Sequence, residues 1–123
     1  MSLAAALLRR ARAVLRAWLV PPYRTVIVAA LPARVRSRRL YIVEEDGFTE
    51  QAAMLCPCRC GRVLQMNLLV DERPCWSLTR HADGTATLHP SIWRKHDCRS
   101  HFWFRRGRVL WCNPNVRGHE IRH

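Results

Sequence analysis

The segment Leu55-Cys-Pro-Cys-Arg-Cys-Gly61 places three cysteines at alternate positions around a proline and closes on a glycine. No other stretch restricts the fold as strongly. On a regular strand Cys56, Cys58 and Cys60 would line one face, but Pro57 removes a ladder donor and fixes its own φ. A tight loop fits better, with Gly61 relaxing the backbone behind the last sulfur. Such a loop can converge two or three thiolates on one ion, and Cys or His pairs two to five positions apart are the usual grip on zinc.

The remaining ligands must come from elsewhere. "HDCRSH" supplies His96, Cys98 and His101, and Cys98-x-x-His101 has the spacing of a zinc pair. The best site draws four ligands from Cys56, Cys58, Cys60, Cys98 and His101, with the four cysteines as the expected set around a structural Zn2+. Zinc binding contributes roughly 10–16 kcal/mol in small modules, whereas a domain of this size nets only about 5–15 kcal/mol. Cys75 and Cys112, each beside a tryptophan, are expected in the core as small hydrophobes. Either one becomes a candidate nucleophile if it lies outside.

The six cysteines would suit three disulfides in a secreted chain. "MSLAAALLRRARAVLRAWLV" argues against secretion, because arginines interrupt the apolar core that a signal peptide needs. A cytoplasmic location, with reduced thiols, is the expectation. No apolar run reaches the ~18–20 residues of a membrane span.

The net charge of +12 would suit nucleic acid. Its distribution weakens that reading. Residues 1–40 carry nine arginines and no acid, and the other 83 residues carry twelve basic and nine acidic groups, leaving only +3. The basic residues are 20 arginines and one lysine, a skew that GC-rich coding alone can produce. Neither nucleic acid nor a membrane is an expected partner.

Residues 3–19 have helical periodicity, with Leu7, Ala11, Val14, Leu15, Trp18 and Leu19 on one face and Arg9, Arg12 and Arg16 on another. The helix is expected to pack on the body or on a partner, and Pro21-Pro22 ends it. Short strands follow. "RTVIVAA" and "RLYIV" precede the turn "EEDG"; "QAAMLC" and "RVLQMNLLV" form a hairpin tipped by the cysteine loop. "CWSLTR" and "TATLH" flank "HADG", whose Asp83-Gly84 is a strong hairpin signal. "HPSIWRKHDC" reads as a loop or a single helical turn, and "SHFWFR" and "RVLWC" close the domain around Arg106-Gly107. The expected fold is mainly β, a small antiparallel sandwich or open barrel stapled by zinc, with an N-terminal amphipathic helix. Its boundaries are a basic helical arm at 1–22, a zinc-binding β domain at 23–113 and a C-terminal tail at 114–123.

Candidate catalytic groups lie near the second half of the site. Ser100 and His101 are neighbours, and neighbours on a strand point to opposite faces. A nucleophile and its base must lie about 2.6–3.2 Å apart. Ser91, in the expected loop "HPSIW", is better placed to give its proton to His101, or to His89 or His96, because a loop can bring it over the sheet. Asn67 could orient a histidine or donate to an oxyanion. A zinc hydrolase fits less well, because HExxH is absent and a thiolate-rich site favours structural zinc.

"CPCRCG" followed by "MNLL" with Asn67, then "GTATLHPSIW" and "CRSHFWFRRGRVLWC", resembles a family of small bacterial Cys-rich proteins built on a domain of unknown function. The likeness runs from Tyr41 to Cys112. The family pattern is Cys-Pro-Cys-Gly-Cys-Gly, where this chain has Arg59, and it tends to serine where this chain has His89. The resemblance implies operons encoding ubiquitin-like proteins with activating and conjugating enzymes. It further implies a need for a peptidase that processes or deconjugates the ubiquitin-like protein, a role a zinc-stabilised, serine-type member could fill. The chemistry of the residues, not the resemblance, makes Ser91 or Ser100 the candidate nucleophile and His101 the candidate base. The expected partners are that protein and its conjugates, with the conjugation enzymes behind them. The alternative is a non-catalytic zinc-binding adaptor of the same system. A third reading, nucleic-acid binding, would use the basic arm and exposed Trp93, Phe102 and Trp103.

Overall fold

A computed structural model describes residues 2–95 and 97–112; His96 and the tail at 114–123 lie outside the described residues. One helix precedes eight strands: α1 (Leu3–Leu19), β1 (Arg24–Val28), β2 (Arg39–Glu45), β3 (Phe48–Leu55), β4 (Val63–Asn67), β5 (Ser77–Arg80), β6 (Ala86–Trp93), β7 (His101–Arg105) and β8 (Arg108–Trp111). The strands form two four-stranded sheets, in the orders β1-β2-β3-β4 and β5-β6-β7-β8.

The two sheets face each other across one core. Leu40, Ile42, Ala52, Met54, Leu64 and Met66 of the first sheet meet Ala86, Leu88, Ile92, Phe102 and Phe104 of the second. The fold is therefore a mainly β sandwich, as its alternating patterns imply, and not a closed barrel. Phe102 and Phe104 are fully buried at its centre, and truncating either would cost about 3–5 kcal/mol. That placement removes Phe102 from the exposed aromatics expected of a nucleic-acid surface.

The turns follow their sequence signals. Asp46-Gly47 joins β2 to β3 and Arg106-Gly107 joins β7 to β8, with φ between 47° and 79° at all four residues, the backbone that two-residue hairpins need. Asp83 accepts from the Thr85 amide at 3.0 Å and from its hydroxyl at 2.6 Å, which fixes the β5–β6 turn.

Four expectations need correction. β1 pairs with β2 in parallel, so the first sheet is mixed; residues 29–38 carry the crossover that parallel pairing requires. "HPSIW" is not a loop, because β6 continues through it to Trp93. It carries a bulge: Leu88 pairs with Phe104 and Ile92 with Phe102, so three residues of β6 face one of β7. This accommodates Pro90 within a central strand. Of the two placements expected for the helix, on the body or on a partner, the first does not hold for its leucines: Leu3, Leu7, Leu8, Leu15 and Leu19 are all exposed. Cys75 and Cys112 are half-buried and outside the core.

Candidate active site and metal centre

Burial along β7 alternates, so Phe102 and Phe104 enter the core while His101 and Trp103 take the outer face. Trp93 pairs with His101 across the β6–β7 ladder and therefore shares that face. The bulge turns Ser91 toward the same side, and Ser91 Oγ lies 3.0 Å from His101 Nε2. At this distance an imidazole nitrogen can take the hydroxyl proton. That role assigns Nε2 as acceptor and the ring proton to Nδ1.

Two tryptophans hold the pair. The Trp93 ring stacks on His101 with centroids 5.1 Å apart and planes 22° from parallel. The Trp76 indole N–H donates to the Ser91 carbonyl at 3.3 Å, restraining the bulge from the β5 side. Trp76 is itself held by its backbone N–H on the Asn67 carbonyl at 2.8 Å.

Asn67 has its side chain elsewhere. Its amide NH2 reaches the carbonyls of Leu69, Glu72 and Pro74, and its Oδ1 accepts from the Leu69 amide. It organises the loop between β4 and β5, and none of these bonds involves His101. Ser100 also lies apart from the Ser91–His101 pair. It is buried, with its hydroxyl 3.1 Å from Cys98 Sγ and 3.5 Å from Cys56 Sγ.

The sulfurs of Cys56, Cys58, Cys60 and Cys98 all lie within 4.8 Å of one another and could hold one metal ion. Cys56 Sγ is 3.4 Å from Cys58 Sγ and 3.5 Å from Cys98 Sγ. Ligand sulfurs at about 2.3 Å from a tetrahedral ion sit roughly 3.8 Å apart, so the donors fit. The loop is shaped for this: the Cys56 amide donates to the Arg62 carbonyl at 2.8 Å, and Arg59 and Gly61 take φ of 72° and 86°. His101 is outside the cluster, with its Nε2 toward Ser91.

The cluster distinguishes its thiols. Burial pushes Cys58 up to about 12, opposed by a hydrogen bond with Ser100 and reinforced by bonds in which the Cys58 thiol donates to the other cysteines. Burial also acts on Cys98, but hydrogen bonds from the Ser100 hydroxyl and backbone and from Cys58 and Cys56 outweigh it and bring Cys98 down to about 6. One thiolate is thus already favoured among neighbouring thiols, and metal binding would displace the remaining protons.

The cysteine cluster and the Ser91–His101 pair are neighbours along the chain, since Cys98 lies three residues before His101. Arg94 bridges them: its amide donates to the Ser100 carbonyl at 2.7 Å, and its guanidinium reaches Asp97 at 2.8 Å and Cys60 Sγ at 3.9 Å. Sequence reasoning missed Trp76, Trp93 and Arg94. Trp93 carried a signal, because it stands two positions from Ser91 and so shares its face once "HPSIW" is read as a strand.

A cleft of about 860 Å³ runs along β5, the edge of its sheet, lined by Leu68, Val70, Trp76, Leu78, His89 and Pro90 among others. Neither Ser91 nor His101 lines it, but Pro90 precedes Ser91 and the Trp76 indole reaches the Ser91 carbonyl. A second hollow of about 740 Å³, bordered by Tyr23, Arg38, Cys56 and Arg108, likewise includes neither. From Ala86 to Cys112 the chain holds six Arg and Lys residues against one acid, Asp97. Cys112 pairs beside His101, its amide donating to the His101 carbonyl at 3.0 Å. Burial pushes its thiol up, which disfavours the nucleophilic thiolate.

Residues 27–112 match the model of the family described as "Bacterial ubiquitination-like system serine protease (BubE)". No curated protein and no solved structure matches the chain.

Proposed function

We propose that this chain, which belongs to the BubE family of bacterial ubiquitination-like systems, is a zinc-stabilised serine peptidase that processes or deconjugates a ubiquitin-like protein. The observation that carries the reading is the 3.0 Å approach of Ser91 Oγ to His101 Nε2 on the open face of the second sheet.

Ser91 Oγ attacks the scissile carbonyl carbon as His101 Nε2 takes its proton, and a tetrahedral oxyanion forms. The imidazolium then protonates the departing amine, the C–N bond breaks, and the acyl group remains on Ser91 as an ester. Water enters and gives a proton to His101 as it attacks. Collapse releases the carboxylate and returns the proton to Ser91. Trp93 holds the imidazole plane throughout, and Trp76 holds the strand that presents Ser91.

Cys56, Cys58, Cys60 and Cys98 would hold the zinc, which would supply a structural crosslink between thiolates. Held there, the end of β3 and the loop before β7 would be joined, and the point where His101 enters the sheet would be fixed. Ser100 serves this centre by donating toward its sulfurs. The cleft along β5 suits an extended C-terminal tail, because an edge strand offers unpaired backbone groups to a peptide. The cationic surroundings favour an acidic partner, chiefly by speeding its approach.

The test is intact-mass spectrometry of the ubiquitin-like protein of the same system, with its native C-terminal tail, after incubation with wild type and with Ser91→Ala, Ser100→Ala and His101→Ala. Tail loss that disappears in Ser91→Ala and His101→Ala but persists in Ser100→Ala is expected. An unchanged mass, with the protein folded, zinc-loaded and bound to its partner, would establish the adaptor instead.

A further inference from the structure

The peptidase reading leaves α1 without a role. Its start is self-sufficient: Ser2 Oγ accepts from the Ala5 amide at 3.1 Å, and the Ser2 carbonyl accepts from the Ala6 amide at 3.2 Å. Its far end is moored to the body, where Arg108 donates to the Val20 carbonyl at 2.8 Å and Arg38 to the Pro21 carbonyl. Between these points Leu3, Leu7, Leu8, Leu15 and Leu19 remain in solvent, with Leu3 76% and Leu19 73% exposed.

At 100° per residue these five leucines fall within an arc of about 160°. Arg9 lies on the opposite side, and Arg10 and Arg12 border the arc, one at each edge. The charge is of one sign well beyond the helix, since the first 43 residues hold nine arginines and no acid. Arg24, Arg34, Arg36 and Arg39 extend it into β1, the crossover and β2.

We propose that α1 is a docking element for an anionic lipid surface. Burial of a broad leucine arc at the headgroup boundary, with arginines reaching outward to phosphates, is the physics of an interfacial helix. A protein groove would also accept the leucines. Protein partners, however, fix register with charges of both signs around the apolar seam, and here the rim is uniformly cationic. A bilayer rich in anionic lipid has no register to match and rewards every cation near it. The helix lies on the surface, because no helix among the described residues is long and apolar enough to cross a membrane. Arginines following on the body supply the second signal that stable anchoring requires. The sequence alone favours packing on the body or on a partner; the exposed leucines with a cationic rim point to the lipid.

The test is co-sedimentation of the full chain with vesicles of phosphatidylcholine alone or containing about a third phosphatidylglycerol. Binding to the anionic vesicles is expected to exceed that to neutral ones at least about tenfold, and to weaken at least about tenfold in roughly 0.5 M salt. Leu7→Glu with Leu15→Glu, and separately Arg10→Glu with Arg12→Glu, should each reduce it by about tenfold or more, with the near-ultraviolet circular dichroism of the β body unchanged. Ser91→Ala should bind as wild type, which separates this proposal from the peptidase reading. Failure to pellet with either vesicle overturns it, as does equal binding to both. It also fails if the leucine variant binds undiminished, or if α1 drives self-association without any vesicle binding.

Discussion

Arg59 stands at φ 72° in the cysteine loop, the left-handed region that an L side chain enters at a cost of about 1–2 kcal/mol. The resembling family pattern has glycine there. Arg59→Gly should therefore raise stability by roughly 0.5–1 kcal/mol after glycine's own entropy is counted, read as about 2–6 °C in a thermal melt. An unchanged or lower midpoint would mean that the Arg59 side chain contributes more than its backbone costs. The two serines divide in the same residue-level way. Ser91→Ala should cut peptidase turnover at least about 10³-fold with the melt unchanged. Ser100→Ala should retain turnover while lowering metal affinity roughly tenfold, because the lost hydroxyl supports the ligand sulfurs; competition with a chelating dye measures it. If Ser100→Ala abolishes turnover with metal affinity intact, the assignment of the two serines is reversed. Residue type and spacing made the cysteines, both serines and His101 candidates. Which serine meets His101 depended on which face each side chain takes, and that required the strand boundaries.

Elements with period-two burial were legible where the alternation is clean, as in "SHFWFR", whose Phe102 and Phe104 enter the core. β6 was cut short because Pro90 signals an end to regular pairing, and only the bulge opposite β7 reconciles proline with a central strand. The parallel pairing of β1 with β2 is a non-local choice with no local mark in "RTVIVAA". Trp76 was similarly hidden, because its indole reaches Ser91 across fifteen residues. Trp76→Phe keeps the ring and removes the N–H donor, so the bulge loses one restraint of about 1 kcal/mol. Turnover should fall about three- to tenfold with KM nearly constant, and steady-state kinetics on the ubiquitin-like substrate would separate the two. A rise in KM alone would place Trp76 in substrate binding. The β7–β8 turn supports the other side of the sandwich. Gly107 has φ 75°, and a Cβ there would lie 2.9 Å from Pro22 Cβ and 3.1 Å from the Tyr23 carbonyl oxygen. Gly107→Ala should lower stability by about 2 kcal/mol or more, since backbone as well as a side chain must yield.

Across the whole molecule a metal held by the cysteine cluster would tie the two layers, because Cys56 follows the last strand residue of β3 and Cys98 precedes β7 in the other sheet. Without metal, proton linkage sets its behaviour. Cys98 falls from its ordinary 9.0 to about 6 on folding, so between those values the unfolded chain holds the extra proton and stability rises with pH. Cys58 rises from 9.0 to about 12, so above 9.0 the folded chain holds the extra proton and stability falls with pH. These two groups alone make the metal-stripped protein most stable near pH 9. Zinc replaces the protons on all four sulfurs, so loading should remove the alkaline decline and leave only the loss below about pH 6, where protons compete for the ligands. Thermal melts of stripped and reloaded protein across pH 5–11 would show the two profiles diverging most above pH 9. Turnover should follow the metal, because Cys98 lies three residues from His101 and Arg94 ties both segments together. Stripping should abolish it and zinc should restore it. Stripped protein that keeps its melt and its turnover would reduce the four cysteines to ordinary thiols and leave the Ser91–His101 pair to stand on the sheet alone.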